Sequence, residues 1–251
     1  MKMLFYFSFN VILFASMLLF QSCGKADSSG QNSSITAEEA KIDLQVDGDG
    51  LENDEQERAV VLQDALDLKL KPSSIKRDWE VSYSKSIIKE FSKKEFDPLF
   101  EMELNEDDLA LLNCTGFNRA NDVEKMKFYL LLLSSIAEAE SDFKNESTST
   151  APNGTTNIGL FQIDKKAAMV HAKLAVPNEK DKFQDISNDD LRSGEFNSQI
   201  GSYILKNQLT KKGPKIFRSD YYWEVLFPNR SSKEHVLRYF KSHLNEMEFC
   251  K

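Results

Sequence analysis

The stretch from Phe128 to Ala137, FYLLLLSSIA, is apolar or small at every position, and it constrains the fold more than any other feature of the chain. Asn121 or Asp122 can cap a helix that starts just before it, acidic residues fall in the first turn, and no breaker follows until the loop STSTAPNGTTN. A helix apolar on most sides has to be enclosed by other elements. Its last turn, ending near Ser141, carries Glu138 and Glu140. Two positions apart, they point about 200° from one another on a helix, so one is expected in solvent while the other faces a cleft. Glu140 follows Ile136 by four residues and Leu133 by seven, on the side of the apolar stripe. A carboxyl placed there is partly desolvated and stays protonated near neutral pH, which is what a proton donor to a glycosidic oxygen requires. An ordinary helix-end glutamate is the competing reading.

At 251 residues the chain can bury one sizeable core or a core with a smaller attachment. The formal charge of −8 argues against nucleic acid as a partner, since clustered lysine and arginine normally neutralise phosphates. Residues 1–22 read as a signal peptide: Lys2, an apolar run from Met3 to Phe20, then Gln21-Ser22-Cys23 and a polar stretch. The ending resembles the lipobox of bacterial lipoproteins, in which the cysteine receives lipid, although Phe20 and Gln21 depart from it. An ordinary secretory signal is the alternative. Either way an exported protein is expected, anchored through Cys23 in the periplasm or at the outer membrane, or released outside the cell. Later in the chain no stretch approaches the roughly 20 apolar residues of a membrane span. Cys114 and Cys250 then remain, and an even pair in an oxidising compartment suggests a disulfide, against the alternative of two buried thiols.

Residues 23–56 read as a flexible acidic tether. Within it Asp47, Asp49 and Asn53 with Gly50 resemble part of a calcium loop, but Gln45 and Gln56 replace its first carboxylate and its bidentate glutamate. A solvated acidic turn is the better reading. Residues 57–112 alternate helical patches with breaks at Pro72 and Pro98 and read as a small helical extension. Strand signals are scarce, so the class is predominantly α. His171, His235 and His243 show no metal-ligand spacing and the last two read as surface residues; no metal or cofactor is implied.

Three stretches give Glu140 a context. Ile136-Ala-Glu-Ala-Glu140-Ser141-Asp-Phe143 resembles the catalytic segment of soluble lytic transglycosylases and goose-type lysozymes, where the acid glutamate is followed by serine and then an aromatic residue. Gly159-Leu160-Phe161-Gln162-Ile163 looks like their Gly-Leu-Met-Gln box. Asn197, Gly201 and Tyr203-Ile204-Leu205 resemble the helix in which Asn and Gly precede a Tyr-Leu pair. The usual Ala-Tyr-Asn-Ala-Gly box is absent, and Tyr221-Tyr222-Trp223-Glu224-Val225-Leu226 stands in its place. This is similar to the Tyr-Trp-x-Val-Leu ending of a divergent group of secreted lysozyme-like proteins, which also carry a cysteine ahead of the catalytic helix and another near the C-terminus.

The resemblance implies a lysozyme-like domain over residues 113–251 that cleaves peptidoglycan glycan strands, as a monomer. It makes Glu140 the general acid, and Ser141, Gly159, Gln162, Asn197 and Tyr222 residues that bind or orient the sugar, with Tyr221 the competitor of Tyr222. Hydrolysis needs a second carboxylate, whereas anhydro-forming transglycosylation needs none. Asp142, Glu146 and Asp164 lie near the motifs, and the Tyr-Trp ending favours hydrolysis. The acidic charge suggests attraction to deacetylated, glucosamine-rich wall. Two other readings remain open: an inactive lysozyme-like lipoprotein that binds glycan or an envelope partner, and a lysozyme inhibitor.

Overall fold

The computed structural model describes Leu68, Leu70 and residues 77–251. The signal segment, Cys23, the tether and the acidic turn at Asp47 to Asn53 lie outside the described residues.

Eight α-helices and one β-hairpin make up the regular structure of the described residues, joined by short 3-10 turns. The long buried helix anticipated from its apolar run is α4, Asp122–Ser141. A reciprocal cap starts it: the Asn121 side chain accepts from the Glu124 N–H, while the Glu124 carboxylate accepts from the Asn121 N–H. Residues Phe128 to Glu138 are buried without interruption, as an all-round apolar helix demands. The second central helix is α7, Gly194–Lys212, buried along Asn197 to Leu209 and capped by Ser193.

Around this pair pack α1 (Val81–Phe91), α2 (Asp97–Glu101), α3 (Glu106–Leu111), α5 (Lys165–Ala175), α6 (Asn188–Arg192) and α8 (Lys233–Lys241). In α1 the apolar residues Tyr83, Ile87, Ile88 and Phe91 recur on one face, and that face lies on α7. Gly194, at the first turn of α7, allows the approach, because a Cβ there would stand inside the Tyr83 ring. In α8 Val236, Leu237, Tyr239 and Phe240 form the buried face, which packs on α4 with Phe240 against Phe128 at 5.1 Å between ring centroids. Each such side chain, fully buried, contributes about 1.5–3 kcal/mol.

The expected division at residue 113 is not a packing boundary. Trp79, Tyr83, Ile87, Phe91, Phe96 and Leu99 belong to the same core as α4 and α7, so the segment from residue 77 onward is part of one domain rather than an extension laid on it. The periodicity of α1 was readable, but its partner is more than a hundred residues away, and local pattern carries no record of that. Cys114 and Cys250 form a disulfide. It fastens the segment before α4 to the last turn of the chain, where Gly116 lies so close to the Phe249 carbonyl that no Cβ would fit.

The strands β1 (Thr148–Thr150) and β2 (Thr156–Ile158) form the antiparallel hairpin, with Ser149 opposite Asn157. The sequence reads there as loop alone, because Ser, Thr, Asn and Gly dominate and the strands are three residues each. Gly154 at φ +82° makes the turn at its tip.

Candidate active site

Helix α4 delivers Glu140 to the surface of the domain and then stops abruptly. Asp142 and Phe143 both adopt the left-handed conformation, at φ +52° and +63°, so the chain reverses within two residues and Phe143 turns back into the core against Trp79 and Tyr239. Glu140 is half-buried at the edge of a cleft of about 500 Å³. Burial pushes its carboxyl up to about 8, and the negative charge of Glu224 adds to the effect.

Glu138, the other member of the pair, is not in solvent. It is 4% exposed and its charge is felt by the Tyr239 hydroxyl of α8. The 200° separation places the two carboxyls on different faces, but α8 covers the face that the helix pattern leaves to water. His243 departs from expectation too. It is buried just past the end of α8, with Nδ1 2.9 Å from the Tyr239 carbonyl. His235 lies at the surface beside Arg238.

The cleft wall opposite the helix end is the turn Gly159–Gln162, and four motif residues hold its backbone. Ser141 Oγ lies 2.9 Å from the Leu160 carbonyl and 3.1 Å from that of Ala137, joining the helix to the turn. Asn197, wholly buried in α7, accepts from the Phe161 N–H and donates to the carbonyls of Ile158 and Leu191. Trp223 Nε1 donates to the Phe161 carbonyl, and Tyr222 Oη to that of Gln162. Gly159, at φ +82°, has Asn197 and the Leu191 carbonyl where a Cβ would be.

Three of the expected sugar-binding residues therefore act otherwise. Ser141, Gly159 and Asn197 do not line the cleft; their polar groups are consumed in building its wall. Both amide N–H groups of Asn197 are spent on backbone, and its oxygen is buried on the Phe161 N–H, away from any ligand. Gln162 and Tyr222 do line it. Gln162 sits in the left-handed region at φ +48° and donates from Nε2 to the carbonyls of Gly159 and Ser147. Tyr222 Oη also accepts from the Asp164 N–H and lies 3.3 Å from Asp164 Oδ2. Behind it stands His171, edge-on to the Tyr222 ring at 6.1 Å and held neutral by burial, which lowers its pKa to about 4. Tyr221 instead points to the Gly213 carbonyl, outside the cleft lining.

Two acidic residues besides Glu140 line the cleft. Asp164 caps α5 through the Ala167 N–H and contacts Tyr222. Glu224 stands one residue after Trp223. Sequence reasoning overlooked Glu224 because it fills the variable place of the Tyr-Trp-x-Val-Leu ending; the available signal was adjacency, since a rigidly placed Trp223 fixes where its neighbour falls. Asp142 and Glu146 are not among the lining residues. The remaining wall is one face of the hairpin, with Ser149, Asn157 and the tip residue Asn153, and the one basic group lining the cleft is Lys166. Among the described residues no group of three His, Cys, Asp or Glu side chains is arranged to hold a metal ion. None of their helices is long and apolar enough to cross a membrane.

Residues 120–225 match the family described as Transglycosylase SLT domain. The domain is lysozyme-like. Glu140, Gln162, Asp164, Tyr222 and Glu224 all fall inside the matched stretch. Among solved structures the chain is similar to Bd0314 DslA in its wild-type form 2, with a TM-score of 0.54 and 19% identity over 72% of this chain and 98% of that one. It is similar also to a mutant of the same protein in which glutamine replaces a glutamate, with a TM-score of 0.52 and 18% identity over the same shares. At that identity the likeness is one of fold. No curated protein matches the sequence significantly.

Proposed function

We propose that the protein cleaves the glycan strands of peptidoglycan, with Glu140 as the general acid. The observation that carries this reading is a carboxyl half-buried at the edge of a polar cleft, where burial pushes its pKa up to about 8. A strand laid along the hairpin face brings the bond between muramic acid and glucosamine to Glu140. Its proton passes to the bridging oxygen as the bond to the anomeric carbon breaks. Tyr222 and Gln162 shape the adjoining wall, with their positions fixed by the turn they hold.

The cleft chemistry also supports a preference for deacetylated strands. Asp164 and Glu224 outnumber Lys166 in the lining, so the free ammonium of a glucosamine unit is attracted where an acetamide is not. Export as a lipoprotein fits such a substrate: lipid on Cys23 and a tether through residue 56 would let the domain reach the wall from a membrane, working as a monomer.

The test is release of soluble muropeptides from purified sacculi by the wild type and by Glu140→Gln. The wild type is expected to solubilise deacetylated sacculi faster than acetylated ones, and the variant to release nothing from either. Release by the variant at the wild-type rate removes Glu140 as the acid. Binding of sacculi without release by the wild type converts the reading to a glycan-binding lipoprotein.

A further inference from the structure

Resting on the reading of Glu140 as the acid, we infer that Glu224 is the catalytic base: it draws a proton from the attacking water, making the reaction an inverting hydrolysis. Three observations carry the assignment.

The first is placement. Glu224 lines the same cleft as Glu140, and no hydrogen bond joins the two carboxyls, although they are near enough for one charge to act on the other. In inverting glycosidases two carboxyls share one cleft in this way, about 6.5–9.5 Å apart, with room for a sugar and a water.

The second is rigidity of the backbone combined with freedom of the side chain. Trp223 before it is anchored on the Phe161 carbonyl, and Val225 and Leu226 after it are buried. The Glu224 side chain itself is 65% exposed, which gives it access to water. Arg230 Nη2 lies 2.9 Å from Oε2 and directs the group. Oε1 has no hydrogen-bond partner among the described residues and is free to accept a proton.

The third is the occupation of the other carboxylate. Asp164 uses Oδ1 to cap α5 and has Oδ2 beside the Tyr222 hydroxyl. Both of its oxygens are thus engaged within the fold, whereas Glu224 has only Oε2 so engaged.

In the step, the water oxygen bonds to the anomeric carbon of the muramic sugar on the face opposite the leaving group. One water proton passes to Glu224 Oε1. The bond between that carbon and the bridging oxygen breaks, and the oxygen takes the proton of Glu140. Glu140 is left as the carboxylate and Glu224 as the acid, and exchange with solvent restores both. The new reducing end carries the water oxygen and the inverted configuration.

The experiment digests sacculi in heavy-oxygen water with the full chain and its variants, following products by mass spectrometry and anomeric NMR. The wild type is expected to give reducing ends containing heavy oxygen, with the α anomer appearing first. Glu224→Gln, folded by circular dichroism, is expected to lose about 10²–10⁴-fold in rate. Glu224→Ala in azide is expected to form a glycosyl azide, because the anion needs no base; a residue that merely shapes the cleft would not give that product. Anhydro ends from the wild type, the β anomer first, an unimpaired Glu224→Gln, or azide rescue of Asp164→Ala instead would each overturn the assignment. All four of those outcomes leave Glu140 as the acid, whereas cleavage by Glu140→Gln removes the reading on which the inference rests.

Discussion

Replacing Glu140 by glutamine should stabilise the protein in alkali and leave it unchanged in acid. In the unfolded chain this carboxyl ionises near its ordinary value of 4.5, and in the folded protein near about 8. Between those values the folded state keeps a proton that the unfolded state has released. Stability therefore falls as pH rises through that window and is level on either side of it. The slope is about 1.4 kcal/mol per pH unit, and the interval sets a ceiling of about 5 kcal/mol. Cleft water reaches part of the side chain and screens it, so an expected penalty of about 2–3 kcal/mol at pH 9 is the better figure. Glutamine is close in shape and never ionises, so the variant escapes the penalty. For a domain of this size, that gain raises Tm by about 4–12 °C. Thermal and urea unfolding of both proteins from about pH 4 to 9 measures it, with the curves meeting at the acid end. The same ionisation should make wild-type kcat/KM fall above about pH 8, as the donor loses its proton. Stability curves that run parallel across the range would mean that the fold does not hold this carboxyl neutral, and the argument for its chemistry would fail.

The scaffold makes two further predictions. Asn197→Ala leaves the Phe161 N–H and the carbonyls of Ile158 and Leu191 without their buried partner. A loss of about 3 kcal/mol or more is expected in urea unfolding, with cleavage impaired through the displaced turn; a loss near that of an exposed Asn→Ala change would deny the turn this support. The disulfide spans 136 residues, and the loop-entropy relation gives it about 5 kcal/mol. Unfolding with and without reductant should show that difference, and an unchanged midpoint would show that the Cys114–Cys250 bond constrains little.

How far this fold could be read in advance depended on whether local order decided each feature. Helix α4 was legible from its cap to Glu140, because its apolar run admits one reading and Asn121 with Glu124 marks its start. The burial of Glu140 and its raised pKa followed from its position on that helix. The roles of Ser141, Gly159 and Asn197 did not follow, since a motif records which residues are required and not whether they meet a ligand or the chain itself. Glu138 was misjudged because α8 covers it from the far end of the sequence, and His243 because the chain folds it back under the end of that same helix. The hairpin went unread because three-residue strands of Thr, Ser and Asn look like loop. Glu224 escaped because it fills the variable place of its motif, where adjacency to Trp223 was the one local hint.

The division of labour between the two cleft carboxylates has one physical origin. An acid that must stay protonated needs poor solvation, and α4 provides it by ending a wholly buried helix at the cleft, with the chain turned away immediately afterwards through Asp142 and Phe143. A base that must meet water needs the opposite, and Glu224 has it, as an exposed side chain paired with Arg230 on a short turn whose neighbours are buried. Both are referred to one object. Ser141 ties α4 to the Gly159–Gln162 turn, and Trp223 ties the Glu224 segment to the same turn two atoms of backbone away, at the Phe161 carbonyl. The separation of acid and base is thus set by hydrogen bonds that converge on four residues of main chain. That makes the turn, which touches no reacting bond in this scheme, the element whose displacement would damage both proton transfers at once.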